Sequence, residues 1–213
     1  GYLNSPDVYM DKIAVGGDLP EGVVDLDATP AANLKNLADA MGKGINDIAA
    51  CILDRPRHAD LIKAVRETGA RIQLISDGDV SGVIATSSVD SGIDIYLGSG
   101  GAPEGVLAAA ALRCIGGQFQ GRLLFRNNDE KERAARCGIT DLDRKYGIID
   151  LASGNVMFAA TGVTDGTMLR GVRFSAGGAS THSMVMRSET GTVRVIEATH
   201  NFDRKAPWML QQE

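Results

Sequence analysis

The sequence predicts an α/β fold in which a mixed sheet carries helices on its faces and is followed by an antiparallel, β-rich C-terminal part. Short apolar runs alternate with helical patterns between residues 12 and 114, which is typical of strands joined by helices. The 26 glycines and the low aromatic content of 5% favour many tight turns. Beyond residue 150 the pattern becomes a two-residue alternation, which indicates antiparallel strands. We therefore divide the chain into an α/β part, 1–150, and a β-rich part, 151–213, packed on the same core.

Local signals define the elements of the first part. Thr29 can cap a helix that Pro30 opens, and Gly42 ends it. The run 48–53 is apolar throughout, as expected for a strand that is buried on both faces. The predicted strands are 12–15, 48–53, 71–75 and 93–97. The predicted helices are 30–41, 56–68, 80–86, 103–114 and 128–136.

The second part reads as a meander of strands. Its predicted strands are 155–160, 168–174, 180–187 and 192–199, and Glu189–Gly191 is predicted to be a hairpin turn. Several apolar residues on these strands suit either the core or an interface, and the core is the better expectation. They are Val156, Met157, Phe158, Met184 and Met186.

Composition excludes several classes of function. The net charge of −5 argues against non-specific nucleic-acid binding, which needs a basic surface, but not against phosphorylated small molecules. No apolar run is long enough to span a membrane, so no membrane partner is expected. Cys51, Cys114 and Cys137 lack metal-ligand spacing, which favours reduced thiols in a cytoplasmic protein.

Three motifs fall where predicted strands end. They are Arg55-Pro56-Arg57, Asp77-Gly78-Asp79 and the glycine-rich stretch 98–105, which we interpret as a turn that leads into a helix. In sheets of this kind the ligand crevice lies outside the carboxyl ends of the strands. We therefore expect the three motifs to converge on one rim.

The carboxylates in these motifs allow two interpretations each. Glu104 stands in the first turn of a helix, where it can stabilise the helix dipole or serve as an oxygen ligand to Mg²⁺ or Mn²⁺. Asp77 and Asp79 flank a glycine between a strand and a helix. One of them can cap that helix, which leaves the other for sugar hydroxyls or a metal.

The cationic motif favours binding of a phosphate. Arg55 and Arg57, held apart by the rigid Pro56, can form a bidentate clamp, and they sit near a helix start, where cations are mildly unfavourable. Tyr9 can donate its hydroxyl to a phosphate, although alone it is better explained as a packed surface residue. We expect His58 to be a surface histidine. His182 and His200 receive no role.

Together these segments resemble the class II fructose-1,6-bisphosphatases of bacteria, which belong to the inositol-monophosphatase-like superfamily of metal-dependent sugar phosphatases. The resemblance runs across nearly the whole chain and implies a layered sugar-phosphatase fold. The stretch GSGGAPEG with its alanine-rich continuation is highly specific, whereas DGD alone is not. The matching segments are YMDKIAVG, DRPRHADLI, ISDGDV, YLGSGGAPEGVLAAAALRCIGGQFQGRL and TGVTDGTMLRGVRF.

The resemblance implies roles for individual residues. It assigns Tyr9, Arg55 and Arg57, with Pro56 between them, to the substrate, chiefly to its phosphate. It assigns the run 77–79, that is Asp77, Gly78 and Asp79, together with Gly101, to the sugar and its surroundings. It assigns Glu104 to a divalent metal, Mn²⁺ or Mg²⁺. Members commonly carry lysine where Arg55 stands, so in this chain a planar guanidinium replaces the compact charge of an ammonium group.

The largest departure from the family is at the front. Members have roughly a hundred further residues, about one small domain, before the tyrosine motif. That segment holds the other acidic metal ligands, so we assign no catalytic residue within this chain. The chain starts at Gly1-Tyr2 without an initiator methionine, as expected for a piece of a longer protein. We expect these 213 residues alone to be inactive or nearly so, since one carboxylate holds Mg²⁺ poorly.

The function implied is metal-dependent hydrolysis of the 1-phosphate of fructose 1,6-bisphosphate to fructose 6-phosphate, a step of gluconeogenesis, by a cytoplasmic homo-oligomer. One alternative is action on sedoheptulose 1,7-bisphosphate or an inositol phosphate. The other is a non-catalytic module that binds a sugar phosphate. An acidic, ligand-rich segment encoded upstream of Gly1 would favour the enzyme.

Overall fold

The computed structural model describes residues 1–204, with Val89 described by its backbone only. The last nine residues of the predicted β-rich part, 205–213, lie outside the described residues. The strands of the first sheet are β1 (Tyr9–Val15), β2 (Ala49–Leu53), β3 (Arg71–Ile75), β4 (Ile95–Gly101), β5 (Gln118–Leu124) and β6 (Tyr146–Gly147). The helices are α1 (Pro30–Met41), α2 (Ala59–Glu67), α3 (Asp79–Ala85), α4 (Ala102–Ile115), α5 (Asn128–Arg136) and α6 (Ile148–Leu151).

The predicted mixed sheet with helices on its faces is confirmed. Its strand order is β3-β2-β4-β1-β5-β6. β2 runs parallel to β3 and β4, whereas β1 is antiparallel to both of its neighbours, β4 and β5. One apolar cluster packs β1, β2 and β4 against α1 and α2, and a second packs the other side of the sheet against α3 and α4.

The helix ends follow the local signals. Thr29 accepts a hydrogen bond from the backbone N–H of Ala32 at 3.2 Å, and Pro30 occupies the first turn of α1. Gly42 ends that helix with φ of 62°, a left-handed conformation in which a side chain would be strained. Pro56 opens a short 3₁₀ turn, and α2 proper begins only at Ala59.

The predicted antiparallel C-terminal part is a four-stranded sheet of β7 (Met157–Thr161), β8 (Arg173–Ser175), β9 (Gly178–Arg187) and β10 (Thr192–Asn201). β9 pairs with β10 along one edge and with both β7 and β8 along the other. Of the five apolar residues expected in the core, Val156, Phe158 and Met186 are buried and Met184 is half-buried. Met157 is exposed, so the core expectation is wrong there: alternation turns it away from α4.

Helix α4 joins the two sheets into one packed unit. Its alanines Ala108–Ala111 are all buried. Ala108, Ala109 and Leu112 pack on the first sheet. Ala110, Ala111 and Cys114 pack against Phe158 and Met186 of the second sheet. Small side chains let two layers approach one helix from different directions.

The structure corrects three predictions about strands. The glycine-rich stretch is not a turn up to Gly101, because β4 continues through Gly98–Gly101 and pairs with β1 over that length. Strands β5 and β6 have no counterpart among the predicted elements. The strand expected at 168–174 is reduced to β8, and residues 167–169 form a bend instead.

Cys51, Cys114 and Cys137 are free cysteines in the structure. Within residues 1–204 no helix combines the length and the apolar character that crossing a bilayer requires.

Candidate functional site

One edge of the first sheet gathers the ends of five strands. Because β1 runs opposite to β4 and β5, its first residue lies at the same edge as the last residues of β2, β3, β4 and β5. We call this edge the carboxyl rim. It is defined by Tyr9, Leu53, Ile75, Gly101 and Leu124.

Each sequence motif follows a strand that ends on the carboxyl rim. Arg55-Pro56-Arg57 follows β2, Asp77-Gly78-Asp79 follows β3, and Glu104 follows β4 at the start of α4. The expected convergence on one rim is therefore confirmed. Tyr9, the first residue of β1, is at the same edge, opposite Gly101 and Leu124.

Two guanidinium groups flank the ring of Tyr9. The central carbon of Arg57 lies 4.8 Å from the ring centroid, and that of Arg126 lies 5.1 Å from it. Both distances are within the range of a cation–π contact. Arg126 is held in turn by Glu130. The Glu130 carboxylate accepts from the backbone N–H of Arg126 at 2.7 Å and from Nε of Arg126 at 2.8 Å. Nη2 of Arg126 donates to the same carboxylate, so one edge of this guanidinium is occupied. We call the two exposed arginines and the Tyr9 ring that they contact the cationic patch.

Arg57 is fixed by Ser99 of β4. Its Nη2 donates to the Ser99 carbonyl at 2.7 Å, and its Nε donates to the Ser99 hydroxyl at 3.1 Å. Ser99 is held by His58, which is 3% exposed. The prediction of a surface histidine is therefore wrong: the turn after β2 folds His58 inward to bond the backbone of β2 and β4.

A buried ion pair lies beneath the rim on the side of α3 and α4. The Lys12 ammonium, 1% exposed, donates to Oδ2 of Asp79 at 2.5 Å. Burial lowers the pKa of Lys12, and the adjacent Asp79 carboxylate acts in the opposite direction. Gly100 makes room for the pair, because a Cβ there would lie 2.1 Å from Oδ2 of Asp79.

Glu104 is exposed in the first turn of α4 and makes no hydrogen bond or ion pair with another described residue. Its carboxylate lies against Gly101, where an added Cβ would sit only 1.9 Å from Oε2. An unpaired carboxylate that reaches back over a glycine is accessible to a ligand at the rim. Its position agrees with either of the roles expected for it.

The two aspartates of the DGD motif have different environments. Asp77 is exposed, and its Oδ1 accepts from the backbone N–H of Gly78 at 2.8 Å. Asp79 is buried in its pair with Lys12. Neither caps α3, since the capping position is Gly78 and no side chain bonds the first amides of that helix. The expectation that one aspartate caps the helix is wrong, because buried Lys12 offers Asp79 a stronger partner.

Arg55 is not drawn into the cationic patch. Its Nη1 donates to the carbonyl of the preceding residue, Asp54, at 3.1 Å. The structure thus joins Arg57 to Tyr9 and leaves Arg55 beside them at the same strand end, with exposed Pro56 between the two arginines.

Comparison with known proteins identifies the family. The family model described as bacterial fructose-1,6-bisphosphatase, glpX-encoded, matches residues 1–200. The chain belongs to this family. Among its relatives is the D-fructose 1,6-bisphosphatase class 2/sedoheptulose 1,7-bisphosphatase of Synechococcus sp. (strain JA-3-3Ab), 41% identical over 99% of this chain and 64% of the relative. The protein of the same name from Microcystis aeruginosa is 42% identical over 96% of this chain and 63% of the relative. The chain therefore spans about 64% of the length of these curated relatives.

Four residues of this glpX-type chain escaped the sequence analysis as site residues. Lys12, His58, Ser99 and Arg126 each link a motif residue to the scaffold or extend the patch. A signal existed for Lys12, a cation at the start of the apolar run IAV. For Arg126 there was none, because it follows β5, which the sequence pattern did not reveal.

The remaining histidines of the glpX-type chain lie in the second sheet. Nδ1 of His182 accepts from the backbone N–H of Arg170 at 3.0 Å, and Nε2 of His200 lies 3.0 Å from the Thr181 hydroxyl. Within residues 1–204, no group of three or more His, Cys, Asp or Glu side chains is arranged to hold a metal.

Proposed function

We propose that the protein to which this chain belongs hydrolyses the 1-phosphate of fructose 1,6-bisphosphate in a metal-dependent reaction, giving fructose 6-phosphate and phosphate. Family membership supports the reaction class. The observation that carries the proposal for this chain is the carboxyl rim. There a cationic patch and an unpaired carboxylate occupy ends of neighbouring strands. A bisphosphate has two phosphates, and each suits one of these groups. The cationic patch would anchor one phosphate, and the other would be hydrolysed beside a metal held by the carboxylate.

The anchoring role falls to Tyr9, Arg57 and Arg126. Arg57 and Arg126 offer planar guanidinium groups that match phosphate oxygens, and Tyr9, whose ring both of them contact, offers its hydroxyl. Holding the distal phosphate orients the reacting end without taking part in bond cleavage. Arg55 joins this set only by rotating away from Asp54, so we give it a secondary role.

The DGD motif and Gly101 face the sugar in this proposal. Asp77 is exposed and presents acceptor oxygens to sugar hydroxyls. Asp79 has one oxygen engaged by Lys12, which fixes the plane of its carboxylate. Gly101 leaves the strand end open, since a side chain there would collide with Glu104.

Glu104 fits a divalent cation by the chemistry of its donor atoms. It is a hard oxygen ligand, unpaired among the described residues, and accessible at the rim. A bound Mg²⁺ or Mn²⁺ would stabilise charge on the transferred phosphoryl group and acidify the attacking water. What this chain supplies is one charged ligand, held in the first turn of α4 over Gly101. Within residues 1–204 Glu104 does not belong to a group of three or more His, Cys, Asp or Glu side chains arranged to hold a metal.

A second candidate substrate is sedoheptulose 1,7-bisphosphate. The relatives from Synechococcus and Microcystis are named for both activities. The anchoring patch recognises a phosphate rather than a carbon count, so one further carbon in the sugar is compatible with it.

The test is a phosphate-release assay titrated with Mn²⁺ and with Mg²⁺. It is run on this chain alone and on the chain extended by the coding sequence that precedes Gly1, with both bisphosphates as substrates. We expect metal-dependent release from the extended protein, a complete loss with Glu104→Gln, and a KM raised at least tenfold with Arg57→Ala, the scale of one lost charged hydrogen bond. Binding of the bisphosphates without any phosphate release from either form would support the non-catalytic binding module instead.

A further inference from the structure

His58 is linked to the phosphate-anchoring patch through a continuous chain of hydrogen bonds. We propose that His58 is a positioning residue: as the neutral Nδ1–H tautomer it fixes Ser99, and Ser99 fixes the Arg57 fork against Tyr9. What Arg57 then binds rests on the proposed function. The positioning itself does not.

Two backbone groups determine the tautomer of His58. The N–H of Ser99 in β4 donates to Nε2 at 2.8 Å, so Nε2 carries a lone pair and no proton. The proton therefore lies on Nδ1, which donates to the carbonyl of Leu53 in β2 at 2.8 Å. The ring thus bridges two adjacent parallel strands at the rim. An imidazolium would place a proton on Nε2 facing the Ser99 N–H, and that bond would be lost.

From Ser99 the chain of contacts passes directly to Arg57. The Ser99 carbonyl accepts from Nη2 at 2.7 Å and from Nε at 3.3 Å, and its hydroxyl accepts from Nε at 3.1 Å. These bonds fix one edge of the guanidinium plane and leave its opposite edge for a ligand. The central carbon of the same guanidinium lies 4.8 Å from the centroid of the Tyr9 ring. An arginine without these acceptors would lose its orientation, since its side chain has many rotamers.

The space around the ring is tight, which gives His58 little freedom to move. A Cβ on Gly98 would lie 3.1 Å from two ring atoms of His58, and Gly98 has a φ of 135° that favours glycine. Hence the glycine that precedes Ser99 is the residue that lets the histidine approach the strand. The conformation of β4 and the position of the ring depend on each other.

The charges that face His58 come from two elements. Arg57, in its own turn, disfavours a second cation, whereas Asp11 of β1 favours it. Burial is the largest influence and lowers the pKa of His58 below its usual range, which outweighs the bond to Leu53 and the charge of Asp11. The neutral form that the geometry requires is therefore the form present at neutral pH.

Two substitutions separate positioning from simple packing. Gln at position 58 can present an oxygen where Nε2 stands and so accept from Ser99. Asn can place an N–H donor where Nδ1 stands, for the carbonyl of Leu53. It is too short to place an acceptor within reach of the Ser99 backbone N–H as well. We therefore compare His58→Gln with His58→Asn, and use His182→Asn in the second sheet as the control.

The first readout is the Arg57 Nε–H in NMR spectra of the 213-residue chain. We expect slow hydrogen exchange in the wild type and in His58→Gln, and exchange at least tenfold faster in His58→Asn, the scale of one lost hydrogen bond. Long-range proton–nitrogen spectra of the wild type should show a bare Nε2 on His58. In a pH titration of the wild type, which needs no variant, Arg57 protection should fall in step with protonation of His58, at a pH below about 6.5.

The second readout is substrate affinity, measured with fructose 1,6-bisphosphate as the probe. In the extended, metal-loaded protein His58→Asn should raise KM about tenfold with kcat nearly unchanged, and His58→Gln should restore KM. A protonated Nε2, or Arg57 exchange that is indifferent to position 58 and to pH, would overturn the proposal. If Arg57 responds as expected while no bisphosphate binds, positioning holds and the proposed function fails.

Discussion

At the scale of single residues, Lys12 and Asp79 form the most enclosed ion pair in the part of the chain that the structure describes. The side chain of Lys12 is 1% exposed and that of Asp79 is 10% exposed. Two charges removed from water gain from each other only while both are present, because each alone would be left in a poorly hydrated site. The pair therefore ties β1 to α3 beneath the carboxyl rim.

Replacing only one member of this pair should destabilise the fold strongly. For Lys12→Met we expect a loss of about 3–5 kcal/mol in the free energy of unfolding, since Asp79 would keep a buried, unpaired charge. Urea denaturation measures the loss. The matched control is Lys35→Met, because Lys35 pairs with Asp39 on the surface and should change stability by less than about 0.5 kcal/mol. The double variant Lys12→Met with Asp79→Leu should recover much of the loss in stability. Equal losses for Lys12→Met and for Lys35→Met would contradict the view that the Lys12–Asp79 pair stabilises the fold.

The sequence predicted which residues reach the rim but not what holds them there. Tyr9, Arg57 and Glu104 could be placed because strand ends meet at one edge, a rule that needs only the order of elements. His58 was misjudged because its partners, Leu53 and Ser99, come together only when β2 pairs with β4. Local sequence carries no sign of such a contact, which spans 41 positions to Ser99.

At the scale of elements, β4 shows how glycines serve the site within a strand. Gly98, Gly100 and Gly101 each leave room for a different side chain: His58, the Lys12–Asp79 pair and Glu104. From the sequence alone this stretch is predicted to be a turn, because glycine is unfavourable in strands. Pairing with β1 overrides that tendency, since β1 pairs with β4 along its full length, from Ile95 to Gly101.

Gly100→Ala tests this account of β4. The added methyl would collide with Oδ2 of Asp79 and approach Nζ of Lys12, so we expect a loss of about 1–3 kcal/mol in the free energy of unfolding. The control is Gly147→Ala, because Gly147 has φ of −90° and its nearest neighbour would be 3.7 Å from the new Cβ. Thermal unfolding of both variants gives the comparison. Equal stability of the two would show that Asp79 moves aside at no cost.

The start of α5 depends on Glu130 and hence on pH. Asn127 caps the helix by accepting from the backbone N–H of Glu130 at 2.9 Å, and the buried Glu130 carboxylate bonds Arg126. Hydrogen bonds from the Arg126 side chain and backbone lower the pKa of Glu130. This support for α5 and for the Arg126 fork is thus complete above the usual glutamate pKa of about 4.3, and is lost as the pH falls through the lowered pKa.

Glu130→Gln should therefore flatten the acid limb of the stability profile. Between about pH 5 and pH 3 the wild type should lose stability more steeply than Glu130→Gln, because only the wild type takes up a proton at this position on unfolding. Urea midpoints at a series of pH values measure both slopes. Glu132→Gln, an exposed neighbour on α5, should follow the wild type. Parallel curves for Glu130→Gln and the wild type would contradict the link.

At the scale of the whole molecule, the order of layers was predictable, but the two strands β5 and β6 were not. The alternation of apolar runs with helical patterns was enough to predict the mixed sheet. The change in the period of the hydrophobic pattern near residue 150 was enough to predict the antiparallel sheet. Strand β5, Gln118–Leu124, was missed because its sequence QFQGRLL mixes polar and apolar residues with a glycine. It becomes a strand because β1 offers it an antiparallel partner along seven residues.

Helix α4 makes the two sheets depend on each other, and this gives a test of the proposed division at residue 150. Ala111 is fully buried and packs in the cluster that contains Phe158 and Met186, while neighbouring residues of the same helix pack on the first sheet. Ala111→Leu should therefore overpack the contact between the layers and cost about 1–3 kcal/mol.

The loss from Ala111→Leu should appear in both sheets at once, because a shared helix couples them. Hydrogen exchange should quicken by a similar factor for the central amides of β1 and of β9. The same substitution at exposed Ala135 of α5 is the matched control and should leave exchange in both strands unchanged. Faster exchange in β9 alone would show instead that the β-rich part unfolds as a separate unit, and that its packing on α4 stabilises only itself.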